Sequence, residues 1–364
     1  MHKTSNKNMN IKTDDFQLKI FQEINKSNIG KNVMVSPLSI FHILSLTSNG
    51  AANKTLSEML QVLCRTNIIE LNKTNKKISS SIEKIESIEF ANAVFTKFKP
   101  LDNFVDIIKE YKSKVEELKS AQQVNKWCSD ATHEKIPEII NDISEDDLMV
   151  LINAIYFKGK WEQEFDKEKT NKKIFMNFNK EIKEVDFMYN KNNYYYLEDN
   201  EKQVISLNYD KDNLKALIIL PKNETDINSY INNFTIEKYK IILYNLVNKE
   251  VELYLPKFEI NFGDDIKNNL ISMGMIDAFT DKADFSNMKK EKEKDIYIGR
   301  IIHKTFIKID EEGTEAAAVT GVTVWCEEDS TPVMNVNHPF LFIIRNNDLP
   351  SNHDILFILK VEYF

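Results

Sequence analysis

From Thr314 to Val324 every second position carries a small or β-branched uncharged residue: Thr314, Ala316, Ala318, Thr320, Val322 and Val324. Strand side chains alternate between faces with period two, so an extended chain here has one face without charge or bulk. The intervening positions, Glu315, Ala317, Val319, Gly321, Thr323 and Trp325, hold the charge and the large ring. No proline interrupts until Pro332. Such a stretch fits the middle of a sheet without overpacking it or stranding a charge. It fits equally an ordinary strand with a polar edge. Spacing alone does not separate the two.

The remaining chain has to supply that sheet. Phe16, Ile20 and Ile24 recur at helical spacing. Ser36 reads as a helix cap with Pro37 at the first helical position, opening an apolar run from Leu38 to Leu46 that Gly50 closes. Thr55 and Glu58 form a capping-box pattern ahead of Met59 and Leu60. From about residue 150 the pattern turns to strands. Val251, Leu253 and Leu255 alternate with polar residues before Pro256, and Phe340–Ile344 and Ile355–Leu359 are short apolar runs joined by turn residues from Asn346 to Pro350. No repeat and no flexible linker divides the 364 residues. The expected architecture is a single α+β domain spanning 1–364.

Composition excludes several function classes. Hydrophobic residues make up 42% and charged residues 29%, a soluble globular balance. No stretch approaches the roughly 20 apolar residues that span a bilayer, and a net charge of -8 opposes a nucleic-acid partner. The early chain has no apolar core of secretory type. The cysteines Cys64, Cys128 and Cys326 are odd in number and far apart, unlike a disulfide framework. A cytoplasmic protein with reduced thiols is expected, with unconventional secretion left open. The Asn-X-Thr acceptor patterns at Asn53, Asn72, Asn223 and Asn233 then read as chance matches in an Asn-rich chain. There is no phosphate loop, no CxxC and no HExxH. Cys128 and His133 stand five apart and do not share a helix face well. The expectation is no enzyme, no metal and no cofactor.

Ordered motifs along almost the whole chain decide between the two readings of the Thr314–Val324 stretch. Asn32–Ile40 with Gly50, Ala51 and Thr55 resembles the first core helix of the serpins, the serine protease inhibitor family, and the turn after it. Phe90–Phe95 resembles an early strand of that family's central sheet. Leu151–Trp161 resembles the strand leading to the tryptophan at the sheet's top, which makes Trp161 that residue. Leu270–Met275, Ala278-Phe279 and Ala283–Ser286 resemble a further signature, as do His303-Lys304 before the Glu-Glu-Gly-Thr-Glu-Ala-Ala-Ala run and His338-Pro339-Phe340 after it. Two departures lie near the end: Ile355–Val361 lacks the glycine the family often has there, and no proline follows before Phe364.

The resemblance implies an α+β serpin fold, a mixed central β-sheet with surrounding helices and an exposed reactive-centre loop at about 311–335, metastable before cleavage. A target serine protease cuts the loop, is held as a covalent acyl-enzyme, and the freed loop segment enters the central sheet as a strand. Glu311, Glu312 and Gly313 are expected to form a flexible, solvated hinge, with Thr314, Glu315, Ala316, Ala317, Ala318 and Val319 beginning the inserting strand. A large or charged residue at Thr314, Ala316 or Ala318 would slow insertion, and all three are permissive. Counted in the family manner from Gly313 as the fifteenth residue before the cut, Glu327 immediately precedes it; counted back from Pro339, Glu328 does. The scissile bond is expected at Glu327–Glu328, which suits an acid-preferring or broad-specificity protease. A cut at Trp325 would suit a chymotrypsin-like protease, and Asp329 a caspase or granzyme-B-like one; Cys326 would be the site in a register one shorter. A non-inhibitory serpin, acting as carrier or chaperone, is the alternative. The expected partner is the target protease, with no nucleic acid or membrane. The chain itself is expected to be a monomer, with loop–sheet polymerisation as its liability.

Overall fold

Ser36 shows how local sequence sets the first layer: its Oγ accepts from the Ser39 N–H, and Pro37 fixes the first helical residue of a helix buried along its whole length. In the computed structural model, which describes residues 15–222, 225–289, 296–313, 331–350 and 352–364, that helix is α2. The described chain runs through α1 (Phe16–Ser27), β1 (Val33–Val35), α2 (Pro37–Ser48), α3 (Asn53–Val62) and α4 (Ile68–Ile82). Strand β2 (Ile88–Thr96), α5 (Asp102–Glu110), β3 (Lys114–Glu117), α6 (Ala121–Ala131) and β4 (Met149–Phe157) follow. Next come β5 (Asn171–Met176), β6 (Ile182–Glu198), β7 (Lys202–Asn208), β8 (Leu214–Pro221), α7 (Ile227–Asn232) and α8 (Ile236–Asn245). The last part holds β9 (Val247–Pro256), β10 (Phe258–Asp265), α9 (Lys267–Ser272), β11 (Arg300–Ile309), β12 (Val333–Asn335), β13 (Phe340–Asn346) and β14 (Ile355–Val361).

Among the described residues these strands form two sheets. One has five strands in the order β10-β11-β4-β2-β3; the other has nine, in the order β1-β14-β13-β8-β7-β6-β9-β12 with β5 paired to β6. The five-stranded sheet is covered on both faces. Leu151, Ile155 and Phe157 of β4 join the main core, while Val150, Ile152 and Ala154 join a second cluster with Val124 and Cys128 of α6. Burial on both faces is why β4 reads as a continuous apolar run rather than an alternation. β9 does alternate, with Val251, Leu253 and Leu255 buried, as its sequence predicts. No helix among the described residues is long and apolar enough to cross a membrane.

The capping box expected at Thr55 and Glu58 is not formed. Helix α3 begins two residues earlier, at Asn53, so Thr55 lies inside it. Both side chains instead clamp a distant segment: Thr55 Oγ1 accepts from the Asp284 N–H at 2.9 Å, and Glu58 Oε2 accepts from those of Ile276 and Asp277 at 2.8 and 2.7 Å. Cys128 is buried within α6 and His133 lies beyond that helix's end, so the two do not share a helix face. Burial pushes the Cys128 thiol up to about 12, and His133, past the end of α6, meets Glu89 at 2.6 Å.

Candidate functional site

Strand β11 ends at Ile309, and the chain doubles back at once. Asp310 and Gly313 exchange both backbone hydrogen bonds, at 3.1 and 3.2 Å, closing a tight turn over Glu311 and Glu312. Trp161 reads two carbonyls of this turn: its indole Nε1 donates to Asp310 O at 3.0 Å and its backbone N–H to Glu312 O at 3.1 Å. The indole is itself held, stacked on Tyr209 with ring centroids 4.5 Å apart and planes within 18°. The Phe165 N–H donates to Glu311 O at 2.9 Å.

Gly313 makes the turn's exit possible. Its φ is +113°, and a Cβ there would collide with Gly159 O and stand 2.7 Å from Lys160 Cα and Trp161 N. Those are backbone atoms of a neighbouring segment and cannot swing aside. Only glycine fits.

The hinge differs from expectation in one respect: Glu311 is neither solvated nor loose. It is 4% exposed. Lys257 Nζ approaches its carboxylate at 2.7 Å, and the Thr170 hydroxyl donates to it at 2.7 Å. Burial opposes the charge, but these donors outweigh it and hold the carboxyl below its ordinary range. Glu312, half-buried, pairs with Lys167. The segment between β4 and β5 and the link between β9 and β10 meet at the turn, and each supplies a polar partner, so the hinge is pinned at the sheet's top.

Below the hinge, β11 and β4 are direct neighbours, paired in parallel from Arg300↔Val150 to Phe306↔Tyr156. No strand separates them over that span. The ladder stops three residues short of the end of β11, and an isolated antiparallel bridge, Lys160↔Gly313, lies at the top. Midway down, a buried polar cluster ties the two strands. His303 of β11 accepts through Nε2 from the Ser36 N–H at 3.1 Å, so its proton resides on Nδ1, which donates to Asn153 Oδ1 of β4. Asn153 Nδ2 in turn donates to Ser39 Oγ of α2 and Asn92 Oδ1 of β2. Burial drives the His303 pKa down to about 3, so the ring is neutral in the native state. Sequence reasoning did not assemble this cluster. The available signal was Asn153 itself, one amide inside the apolar run Met149–Phe157.

The chain re-enters the described structure at Thr331. The Thr331 hydroxyl donates to Glu250 Oε2 at 3.2 Å, and β12 pairs in parallel with β9. Thr314, Glu315, Ala316, Ala317, Ala318 and Val319 lie outside the described residues, as do Trp325, Cys326, Glu327, Glu328 and Asp329. Of the residues singled out from sequence, the structure brings together Trp161, Glu311, Glu312 and Gly313. Among the described residues no cluster of three or more His, Cys, Asp or Glu side chains is placed to hold a metal.

Comparison with known proteins gives one answer at several levels. The family model described as Serpin (serine protease inhibitor) matches residues 12–363. Leukocyte elastase inhibitor of Xenopus laevis is 32% identical over 363 residues, covering 92% of this chain and 95% of its own length. The native-state crystal structure of tengpin, a thermophilic serpin, superposes with a TM-score of 0.89 at 31% identity, covering 100% of this chain and 96% of that one. Human thyroxine-binding globulin bound to thyroxine superposes with a TM-score of 0.86 at 28% identity, covering 96% of each chain.

Proposed function

The chain belongs to the serpin family, and from that premise we propose that it is a suicide-substrate inhibitor of a serine protease. The protease serine attacks the Glu327 carbonyl, the Glu328 amine leaves, and the ester-linked loop segment enters the sheet between β4 and β11. A cut one to two residues away, at Trp325, Cys326 or Asp329, would redirect the target towards chymotrypsin-like or aspartate-cleaving proteases by the same mechanism.

The observation that carries this reading is the register at Gly313. This residue already bridges Asp310 on one side and Lys160 on the other, both antiparallel. Continuing each pairing residue by residue puts Ala317 opposite Phe306 on the first side and opposite Tyr156 on the second. Phe306 and Tyr156 are already partners. The two extrapolations therefore agree without a bulge, and a strand grown from Gly313 finds both neighbours in phase.

That register distributes the side chains as the alternation requires. Thr314, Ala316, Ala318, Thr320 and Val322 fall opposite Ile309, Ile307, Thr305, His303 and Ile301, all buried. Glu315 falls between Lys308 and Lys158, whose side chains are half exposed. Thr320 falls between His303 and Asn153, so insertion replaces their direct hydrogen bond. The new strand runs antiparallel to both neighbours, exchanging one parallel ladder for two antiparallel ones. About ten added backbone hydrogen bonds at ~1 kcal/mol each, with the burial of six small side chains, stabilise the inserted state by on the order of 15 kcal/mol. Fifteen residues of strand carry the attached protease roughly 50 Å, and catalysis in the protease depends on ångström-scale placement of its triad.

A carrier function is the second reading, favoured by the likeness to thyroxine-binding globulin. Thermal unfolding of intact protein against protein nicked once between residues 320 and 331 separates the two. A large rise in melting temperature, with a protease complex stable to denaturant and a released peptide starting at Glu328, is expected of the inhibitor. No rise would leave the cut loop outside the sheet and give the carrier reading the lead.

A further inference from the structure

Of the eight glycines only Gly50 follows an asparagine, Asn49. That pair can react with itself. With no side chain on the following residue to obstruct it, the Gly50 nitrogen can bond to the Asn49 side-chain carbon Cγ. Hydroxide takes the amide proton, ammonia leaves from Nδ2, and a succinimide ring closes. Water then opens the ring at either carbonyl, giving aspartate or isoaspartate at position 49. The solvent supplies every co-reactant.

The fold opposes each requirement of this step. Asn49 ends α2 in the right-handed helical conformation, at φ −67° and ψ −22°. The Gly50 N–H donates to Thr47 O at 3.0 Å, so the nucleophile is engaged. Asn49 Nδ2 donates to Ser45 O at 3.0 Å and to Asn72 Oδ1 of α4 at 3.1 Å, while Asn49 Oδ1 accepts from Asn72 Nδ2 at 2.7 Å. The hydroxyl of Tyr111, just past α5, braces Asn72 by donating to the same Oδ1. A carboxamide clasped at both its oxygen and its nitrogen cannot swing its Cγ towards the backbone. Packing also keeps the glycine in place. A Cβ at position 50 would stand 2.2 Å from Met288 Cγ and Cε, and Met288 is fully buried.

The consequence of reaction would fall on the same joint. Nδ2 is the donor to Ser45 O and Asn72 Oδ1, and it is the atom that leaves. A carboxylate takes its place at the C-terminal end of α2, where the helix dipole disfavours negative charge. The clasp between α2 and α4 cannot re-form with the same bonds, and ammonia lost to the solvent does not return.

We propose that Asn49 is a site of spontaneous deamidation gated by this clasp. It is silent while α2 and α4 are joined and reactive when they part, so each modified chain keeps a lasting mark of an opening and a looser joint. The proposal does not depend on the protease reading. The test incubates the full chain at mildly alkaline pH, native and in urea. Mass spectrometry follows the peptide holding Asn49, whose mass changes when NH2 is exchanged for OH. Conversion of native protein should be at least tenfold slower than in urea. Asn72→Ala should raise the native rate at least threefold. Tyr111→Phe, which removes only the bracing hydroxyl, should raise it too, and it carries the test if circular dichroism shows that Asn72→Ala fails to fold. Lys257→Ala, which loosens Glu311 at the hinge, should leave the rate unchanged. Converted protein, separated by its added negative charge, should melt below unconverted protein. The site is overturned by absence of conversion in urea. The gate is overturned by equal rates in urea and in native protein, by native rates that neither clasp variant changes, or by an equal rise in Lys257→Ala. A converted chain that melts with the parent overturns the loosening.

Discussion

At the scale of single residues, the hinge depends on two that act by opposite means, Gly313 by what it lacks and Glu311 by what it carries. At Gly313 an alanine suffers both a backbone conformation closed to side chains and a collision with the Gly159–Trp161 backbone. The conformational penalty alone is about 1–2 kcal/mol. Gly313→Ala should lower the melting temperature of intact protein and speed hydrogen exchange at the Trp161 amide, which donates into the turn. Unchanged protection at that amide would mean the turn is not pinned there. Glu311 is stabilised as the anion, its native carboxyl held below the usual range chiefly against the cost of burial, by Lys257 and Thr170. A group lowered in this way contributes stability that is present above its unfolded value, near pH 4.5, and lost as pH falls through the native one. Glu311→Gln is therefore expected to cost about 1–2 kcal/mol at pH 7. The gap from the parent should close as the pH of the melts falls below the unfolded value and through the native one. A gap that persists in acid would assign the loss to packing instead of charge.

At the scale of elements, the interest lies in the pair β4 and β11 and in what would come between them. Much of this was legible in the sequence: the cap of α2 and the small-residue alternation after Gly313 follow from local pattern and side-chain volume, and the strand β4 from the family resemblance of Leu151–Trp161. The partnership of β4 with β11 was not, because parallel neighbours about 150 residues apart leave no local signal. The loss of the expected capping box has the same origin, since Thr55 and Glu58 bond to residues 276–284, which local pattern does not reveal. The burial of Glu311 was missed for a related reason. An acidic pair beside a glycine reads as a solvated turn until Lys257, at the junction of β9 and β10, is brought against it. The register that results makes a charge prediction for the proposed inserted strand. Glu315→Lys would set a third cation between Lys158 and Lys308, slow insertion, and let more acyl-enzyme hydrolyse before trapping. The fraction of protease trapped should fall, and adding Lys308→Glu should restore it in part. A trapped fraction indifferent to both changes would show that the register is displaced by at least one residue.

At the scale of the whole molecule, the proposed mechanism makes a five-stranded sheet in phase for a sixth strand a store of free energy released by a change in connectivity. The intact chain is tethered on both sides of residues 314–330, by the turn at Gly313 and by β12 on β9, and in the proposed mechanism the cut removes that restraint. On that mechanism the barrier to insertion lies in the tether and in the His303–Asn153 tie, and not in affinity. A free peptide has no tether. A synthetic peptide of the sequence Thr314–Val324 should therefore enter between β4 and β11 of uncut protein on prolonged incubation, displacing their direct pairing. Its entry should raise the melting temperature towards that of nicked protein and turn the inhibitor into a plain substrate, because the chain's own loop then finds its place taken. Replacing the peptide's third residue, the equivalent of Ala316, with arginine should abolish both effects, since the proposed register sets that position between the buried Ile307 and Phe157. If the arginine peptide is as effective as the parent, the stabilisation arises from binding elsewhere, and the gap between β4 and β11 is not where the loop goes.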